Sequence, residues 1–546
     1  MIGVIVNNSE KEIVSEFFEL FKTPWEFFDR NKAYDVVINT TGYFEKTNSK
    51  LVLIFSSASH AYDIDCDITI RPIAENKRLM QNGLKFPVYG SLSAIAGQGT
   101  SFLPIHDTVF HTGLLLAHGD QLIIRIGYDL FQEVARLLRY GQPPQYASTP
   151  TLDIHIDVLR QFILKAGIAL VEIPPVPHGY NFIVCLTHDI DFIRIRDHKF
   201  DHTMFGFLYR ATLGTLMDVI KKKRTWKELY QNWVAVLKLP MVYLNIADDF
   251  WFKFDRYMEL EERVKARSTF FFIPFKKRMG DKVTGKGAKM RAAKYDVTDI
   301  QDTVKKLVNK GFEVGIHGID SWHDTGCART EKARIADISG KTDVGIRMHW
   351  LCFNQDTYRI LDEAGFIYDS TFGYNDAVGY RAGTSQVFKP SGVNNILELP
   401  LSIQDTALFN PKHMSLTKDE AWHLAEDLIT KTAENGGVLT ILWHDRSLSP
   451  ERLYEDFYIK LLAELKNKKV WFATATDACN WFKHRRAAKF ENVKLDGDVL
   501  HIKVSNNENN TLPSIKFRVY RPDINMKTIK FTDIPWQSKS DFSINV

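Results

Sequence analysis

The stretch that most constrains this chain runs from Phe182 to Asp191 and reads Phe-Ile-Val-Cys-Leu-Thr-His-Asp-Ile-Asp. A short, continuous apolar run of this kind is a buried strand, and a buried strand cannot carry two carboxylates through a core. Asp189 and Asp191 are therefore expected at its C-terminal mouth. That is the edge at which open α/β sheets and β/α barrels build their sites. Asp after a strand is also an ordinary turn or helix-capping residue, so one such ending does not assign a function. Repetition of the ending carries more weight.

From Tyr180 to about Phe482 the sequence repeats strand, loop and helix. Ser268–Ile273 ends at Pro274, Phe312–Ile316 at His317, Ile396–Leu399 at Pro400 and Val438–Trp443 at His444, with a late strand at Val470–Ala473. Alternation over ~300 residues is what a barrel or a doubly wound sheet requires. Five chemistry-bearing clusters fall at these strand ends. The first is Thr187-His188-Asp189-Ile190-Asp191, and the second runs from His317 through Asp320 and Ser321 to His323. The others are Arg347-Met348-His349-Trp350, Tyr368-Asp369-Ser370-Thr371-Phe372 and Leu442-Trp443-His444-Asp445.

At 546 residues the chain exceeds the ~250–300 at which a single core stops growing. Residues 1–175 read as an N-terminal α/β domain, with short apolar strands at 2–6, 36–38, 51–55 and 121–126 and a helix near 151–166. Ile13, Phe17, Leu20 and Phe21 mark another helix, and Ser9 and Glu12 stand at capping-box spacing before it. Pro174-Pro175-Val176-Pro177 reads as a linker, leaving 178–485 for the barrel. Residues 486–546 alternate apolar and polar side chains with Asp-Gly and Asn-rich turns, the pattern of a small antiparallel β module. Residues 202–245 interrupt the barrel as a helical pair carrying Lys221-Lys222-Lys223-Arg224. A basic amphipathic helix can make peripheral contact with a membrane; packing on its own domain with solvated lysines is the commoner arrangement.

Seventy Lys and Arg against 66 Asp and Glu leave a net charge of +4, too slight for a nucleic-acid surface. The five cysteines are far apart with no CxxC pair, which argues against a disulfide framework and a thiolate zinc site and fits a reducing cytoplasm. Met1–Val6 reads as a strand rather than an export signal. No apolar run approaches the ~20 residues that span a bilayer. A cytoplasmic location is therefore expected, and the residues do not fix an oligomeric state.

Imidazole and carboxylate are ligands of a borderline divalent ion such as zinc. Two histidines and one carboxylate leave coordination positions open for water and substrate. A second carboxylate can then accept the water's proton, and a histidine across the pocket can protonate a leaving group.

The order Thr-x-Asp-x-Asp, Glu-Val-Gly-x-His with a further His, Arg-x-x-Trp, Asp, and an apolar strand ending in His resembles the NodB-homology polysaccharide deacetylases over roughly residues 180–480. Arg381-Ala382-Gly383-Thr384 and Glu398-Leu399-Pro400-Leu401 resemble a branch with an extra N-terminal α/β domain. The resemblance implies a distorted β/α barrel. It also implies a hydrolase removing acetyl groups from a carbohydrate or glycolipid by way of a metal-bound water. In that scheme Asp189 is the base, His444 the acid, Arg347 the residue that orients Asp189, and Asp369 one that tunes the acid or the pocket. One divalent ion, zinc by preference, is implied at Asp191, His317 and His323. Here Ile190 separates the two aspartates, Ser321 stands where the family places its second histidine, and His349 stands where it places proline. Asp320 accordingly rivals His323 as third ligand. Two other readings stay open: an amide or cyclic-imide hydrolase on the same barrel, and a non-catalytic carbohydrate- or lipid-binding module.

Overall fold

The computed structural model describes residues 1–74, 77–81, 83–283, 287–496, 499–505, 511–522, 530–536 and 541–545. It divides into two compact units. One comprises Met1–His178, Tyr380–Ser391 and Trp481–Val546; the other comprises Gly179–Gly379 and Gly392–Asn480.

The second unit is a β/α barrel. Its strands are β1 (Ile183–Ile190), β2 (Thr269–Phe272), β3 (Glu313–Gly318), β4 (Ile346–Met348), β5 (Tyr368–Asp369), β6 (Leu397–Glu398), β7 (Ile403–Gln404), β8 (Val438–Leu442) and β9 (Trp471–Phe472). They pair in the order β6-β5-β4-β3-β2-β1-β8-β7, every pair parallel. β9 pairs with the first two residues of β1, and β2 with its last four. The edge strands β6 and β7 follow one another in the chain with four residues between them. The sheet must therefore curl until its edges are near each other, which makes it a distorted barrel. All eight residues of β1 are buried, as a strand covered on both faces requires.

The first unit holds a seven-stranded mixed sheet in the order Trp25–Phe27, Ile2–Ile5, Val36–Asn39, Leu51–Phe55, Gln121–Ile126, His111–His118, Thr100–Pro104. Its first five strands are parallel and its last two antiparallel. The capping box expected at Ser9 and Glu12 does not form. Ser9 lies in a 3-10 turn, Asn8–Glu10, and the helix Lys11–Phe21 starts without a side-chain cap.

The C-terminal strands sort into two antiparallel sheets, one of which is completed from far upstream: Leu170–Glu172 pairs with Lys516–Tyr520. A module near the lower size limit for a core of its own gains area in this way. The Asn-rich stretch 506–510 lies outside the described residues.

Two sequence features have roles that composition did not suggest. The Pro174–Pro177 stretch is buried throughout rather than exposed as a linker. Tyr380–Ser391 belongs to the first unit, where the Gly383 carbonyl accepts from the Leu152 amide at 2.8 Å. It thereby satisfies an otherwise orphaned N–H at the start of the helix Thr151–Lys165. Gly383 has φ +70°, and a Cβ there would stand 2.9 Å from the Leu152 nitrogen, so only glycine fits.

Candidate functional site

Period-two alternation sends Thr187 and Asp189 to one face of β1 and His188 to the other. Arg347 of β4 confirms the inward face: its Nη1 donates to Thr187 Oγ1 at 2.7 Å and to Asp189 Oδ1 at 3.0 Å. Nε donates to the Ser370 carbonyl and Nη2 to its hydroxyl, both at 2.9 Å. A fully buried guanidinium bonded on every side holds the Asp189 carboxylate in a fixed direction. His188, on the outward face, bonds the Trp443 carbonyl and Glu261 Oε1, each at 2.7 Å, and packs against Tyr257. It is part of the barrel's outer layer.

Asp191, just past β1, meets His317 from β3 and His349 from one residue past β4. Asp191 Oδ1 lies 3.4 Å from His317 Nε2 and 3.3 Å from His349 Nδ1. The two ring nitrogens are 2.9 Å apart. His317 Nδ1 is 3.0 Å from the Arg347 carbonyl and donates to it, which leaves Nε2 as a lone pair facing the cluster. Burial would raise the Asp191 carboxyl, but His349 and His317 outweigh it and hold the group well below its usual range.

Asp191 Oδ1 is buried without a hydrogen-bond partner. A carboxylate oxygen and two imidazole nitrogens, all within 4.8 Å of one another, are the donor set of a divalent cation. The residues fit a metal.

His323, expected as third ligand, is not in this cluster. Its Nε2 is 3.1 Å from Asp320 Oδ1, and Asp320 Oδ1 also accepts the Asp281 amide at 2.9 Å. Glu331, fully buried on the helix Thr325–Ser339, clasps the same loop by accepting from the amides of Ile319 and Asp320 and from the Ser321 hydroxyl. His323 and its rival Asp320 therefore satisfy each other. His349 takes the third place in the cluster, and its signal in the sequence was its place two residues after Arg347.

His444, two residues past β8, lines the same cavity. Its Nδ1 is 2.6 Å from Asp405 Oδ1, and its amide donates to Asp405 Oδ2 at 2.8 Å. Asp405 follows β7 directly and is fully buried. Burial alone would lower the imidazole, yet the Asp405 carboxylate outweighs it and pushes His444 up to about 9. The ring is thus protonated at neutral pH. Asp445 completes the arrangement by accepting the Phe192 and Ile193 amides at 2.8 and 3.0 Å, which fixes the turn that carries Asp191.

Asp369 is fully buried in β5 and is not among the described residues lining the cavity. Its Oδ1 accepts from the Thr371 hydroxyl, and burial pushes the carboxyl up to about 7. Glu398, register-paired with it across β5 and β6, is raised by the same burial and by Asp369 itself.

The cavity has a volume of about 640 Å³. Asp189, Asp191, His317, His349 and His444 all line it, and Trp350, Arg446 and Arg452 contribute to its walls. Trp350 adopts φ +65° while 42% exposed, a conformation a bulky residue holds only when its surroundings impose it.

No protein-family model matches the sequence, and no curated protein matches it. Solved structures do resemble it. A protein from Mycobacterium smegmatis assigned as a polysaccharide deacetylase is 17% identical, covering 57% of this chain and 94% of its own, with a TM-score of 0.35. A protein from Pseudomonas aeruginosa PAO1 with the same assignment is 14% identical, covering 57% of this chain and 95% of its own, with a TM-score of 0.36. The PuuE allantoinase is 15% identical, covering 56% of this chain and 93% of its own, with a TM-score of 0.34.

Proposed function

We propose that the barrel unit is a metal-dependent hydrolase that removes an acetyl group from the nitrogen of an N-acetylated sugar or sugar-containing precursor. The observation that carries this reading is the convergence of Asp191, His317 and His349 on one point, in a cavity that also holds an anchored carboxylate and a protonated imidazole. Those three residues would hold the ion, and zinc suits two imidazoles and a carboxylate. When bound, the ion supplies Lewis-acid chemistry, polarising a carbonyl and lowering the pKa of water at the site.

The chain's own residues do the rest. Asp189, oriented by Arg347, takes a proton from the attacking water. When the C–N bond breaks, His444 gives its proton to the leaving nitrogen, and the products are a carboxylate and a free amine. Asp405 positions His444 and keeps it charged until that step. Trp350 offers an exposed aromatic face on the wall against which a sugar ring can lie. We place the reaction in a reducing compartment, consistent with five cysteines of which none forms a disulfide.

The test is acetate release from a panel of N-acetylated sugars and sugar–lipids, with a cyclic ureide as a further arm. Zinc-dependent acetate release that Asp189→Asn abolishes is the expected result. Turnover of the ureide alone would move the assignment to a cyclic-amide hydrolase. Zinc binding without turnover of any substrate would favour a binding module.

A further inference from the structure

Two helical stretches interrupt the barrel between β1 and β2. The first runs through His202–Tyr209, a π turn at Arg210–Gly214, and Thr215–Ile220; the second is Trp226–Tyr243. One side of the pair is an ordinary core, in which Met204, Phe207, Ala235, Leu239 and Val242 close over Trp251.

The other side is apolar as well, and it faces outward. The first stretch exposes Phe205, Tyr209, Leu213, Met217 and Ile220; the second exposes Trp226, Tyr230, Trp233, Leu237 and Met241, with Leu244 following it. Spacings of three and four hold each set to one face. A spacing of four over-rotates an α-helix by about 40°, and the wider π turn beneath Tyr209–Leu213 takes part of that rotation back. Ile220, Trp226, Tyr230 and Leu237 are each at least 70% exposed. Eleven of the twenty-three exposed large apolar side chains among the described residues thus sit on this one pair, well beyond the scattered singles a water-facing surface carries.

Charge says what covers them. Residues 202–246 hold seven Lys and Arg against two acids. Both acids are engaged, Asp218 lying 3.7 Å from Arg224 and Glu228 lying 2.9 Å from Lys418. Lys221, Lys222 and Lys223 are exposed together at the tip. Aromatic and aliphatic side chains on one face beside a lysine cluster match the bilayer interface, where rings sit at headgroup level and lysines meet anionic phosphate.

The pair is also tied to the cavity rim. Arg210 Nε donates to Glu451 Oε2 at 2.7 Å, and Arg224 Nη2 donates to the carbonyl of the cavity-lining Arg452 at 3.1 Å. We propose that the helical pair 202–244 is a docking surface for an anionic phospholipid bilayer and holds the barrel at the membrane interface. Among the described residues no helix is long and apolar enough to cross a membrane, so the association is peripheral. It is read by binding alone and stands or falls independently of the hydrolase proposal.

The experiment is cosedimentation of the full chain with phosphatidylcholine vesicles with and without phosphatidylglycerol, alongside sedimentation velocity in the absence of lipid. The wild type should bind the anionic vesicles. W226S/L237S should weaken binding at least ~10-fold through lost apolar burial. K221Q/K222Q/K223Q should weaken it roughly 100-fold on anionic vesicles and flatten its salt dependence. All should melt with the wild type and retain any activity on a short soluble substrate. Absence of wild-type binding, or binding indifferent to W226S/L237S, overturns the proposal. So does a wild-type dimer that W226S/L237S dissociates, which would give the face to a second copy of the chain.

Discussion

Two histidine–carboxylate groupings lie within a few residues of one another on the barrel's upper rim, and they differ in one physical respect. His323 and Asp320 complete each other at 3.1 Å, in a loop whose amides are already taken by Glu331. Asp191, His317 and His349 also converge, at 3.3–3.4 Å from Asp191 Oδ1, yet leave that oxygen buried without a hydrogen-bond partner. A closed polar cluster stabilises the fold, whereas an open one of the same residue types awaits a ligand. The two groupings share residue types and differ in hydrogen bonding, and we propose the open one as the metal centre.

Substitutions can break or sharpen this contrast. The largest effect is expected at Asp189: Asp189→Asn should keep the fold and the metal while turnover falls ~10²–10⁴-fold, as for other proton-transfer residues. A variant that loses melting temperature yet keeps its rate would make Asp189 structural. At Asp405 the readout is the pH profile. The Asp405 carboxylate raises His444 to about 9, so the acid is protonated below that pH and activity should fall as pH rises through it. Asp405→Asn removes the stabilising charge, lowers the His444 pKa and should move the alkaline limb toward neutrality. An unmoved limb would show that His444 is not the acid.

Smaller changes follow. Trp350→Ala should raise KM up to ~10-fold with kcat nearly unchanged, the scale of one aromatic contact; a fall in kcat alone would mean that the ring serves the chemistry. His323→Ala should leave turnover intact and cost ~1 kcal/mol of stability, measurable by denaturant unfolding. Loss of activity there would reinstate it as a site residue.

Much of this was legible in the sequence. Apolar runs ending in Asp or His marked β1, β3 and β8, because a strand buried on both faces has no polar positions until it leaves the sheet. The resemblance pairs Arg347 with Asp189, and the two side chains lie 3.0 Å apart. The third member of the candidate site was not legible. The resemblance implied His323, but which side chains meet depends on which loops converge, and β4 is only three residues long. Asp405 was missed for a similar reason: it follows a two-residue strand, too short for any periodicity to show. The first unit's claim on Tyr380–Ser391 was hidden because the carbonyl that caps the helix at Leu152 belongs to a residue more than 200 positions away in the chain.

We propose that His349 rather than His323 completes the metal centre. The most direct test is the zinc content of wild type, His349→Ala and His323→Ala after loading and gel filtration. One ion per chain in the wild type and in His323→Ala, with none retained by His349→Ala, is the result expected. Full occupancy in His349→Ala together with loss in His323→Ala would contradict the assignment and return the site to the ligand set that the resemblance implies.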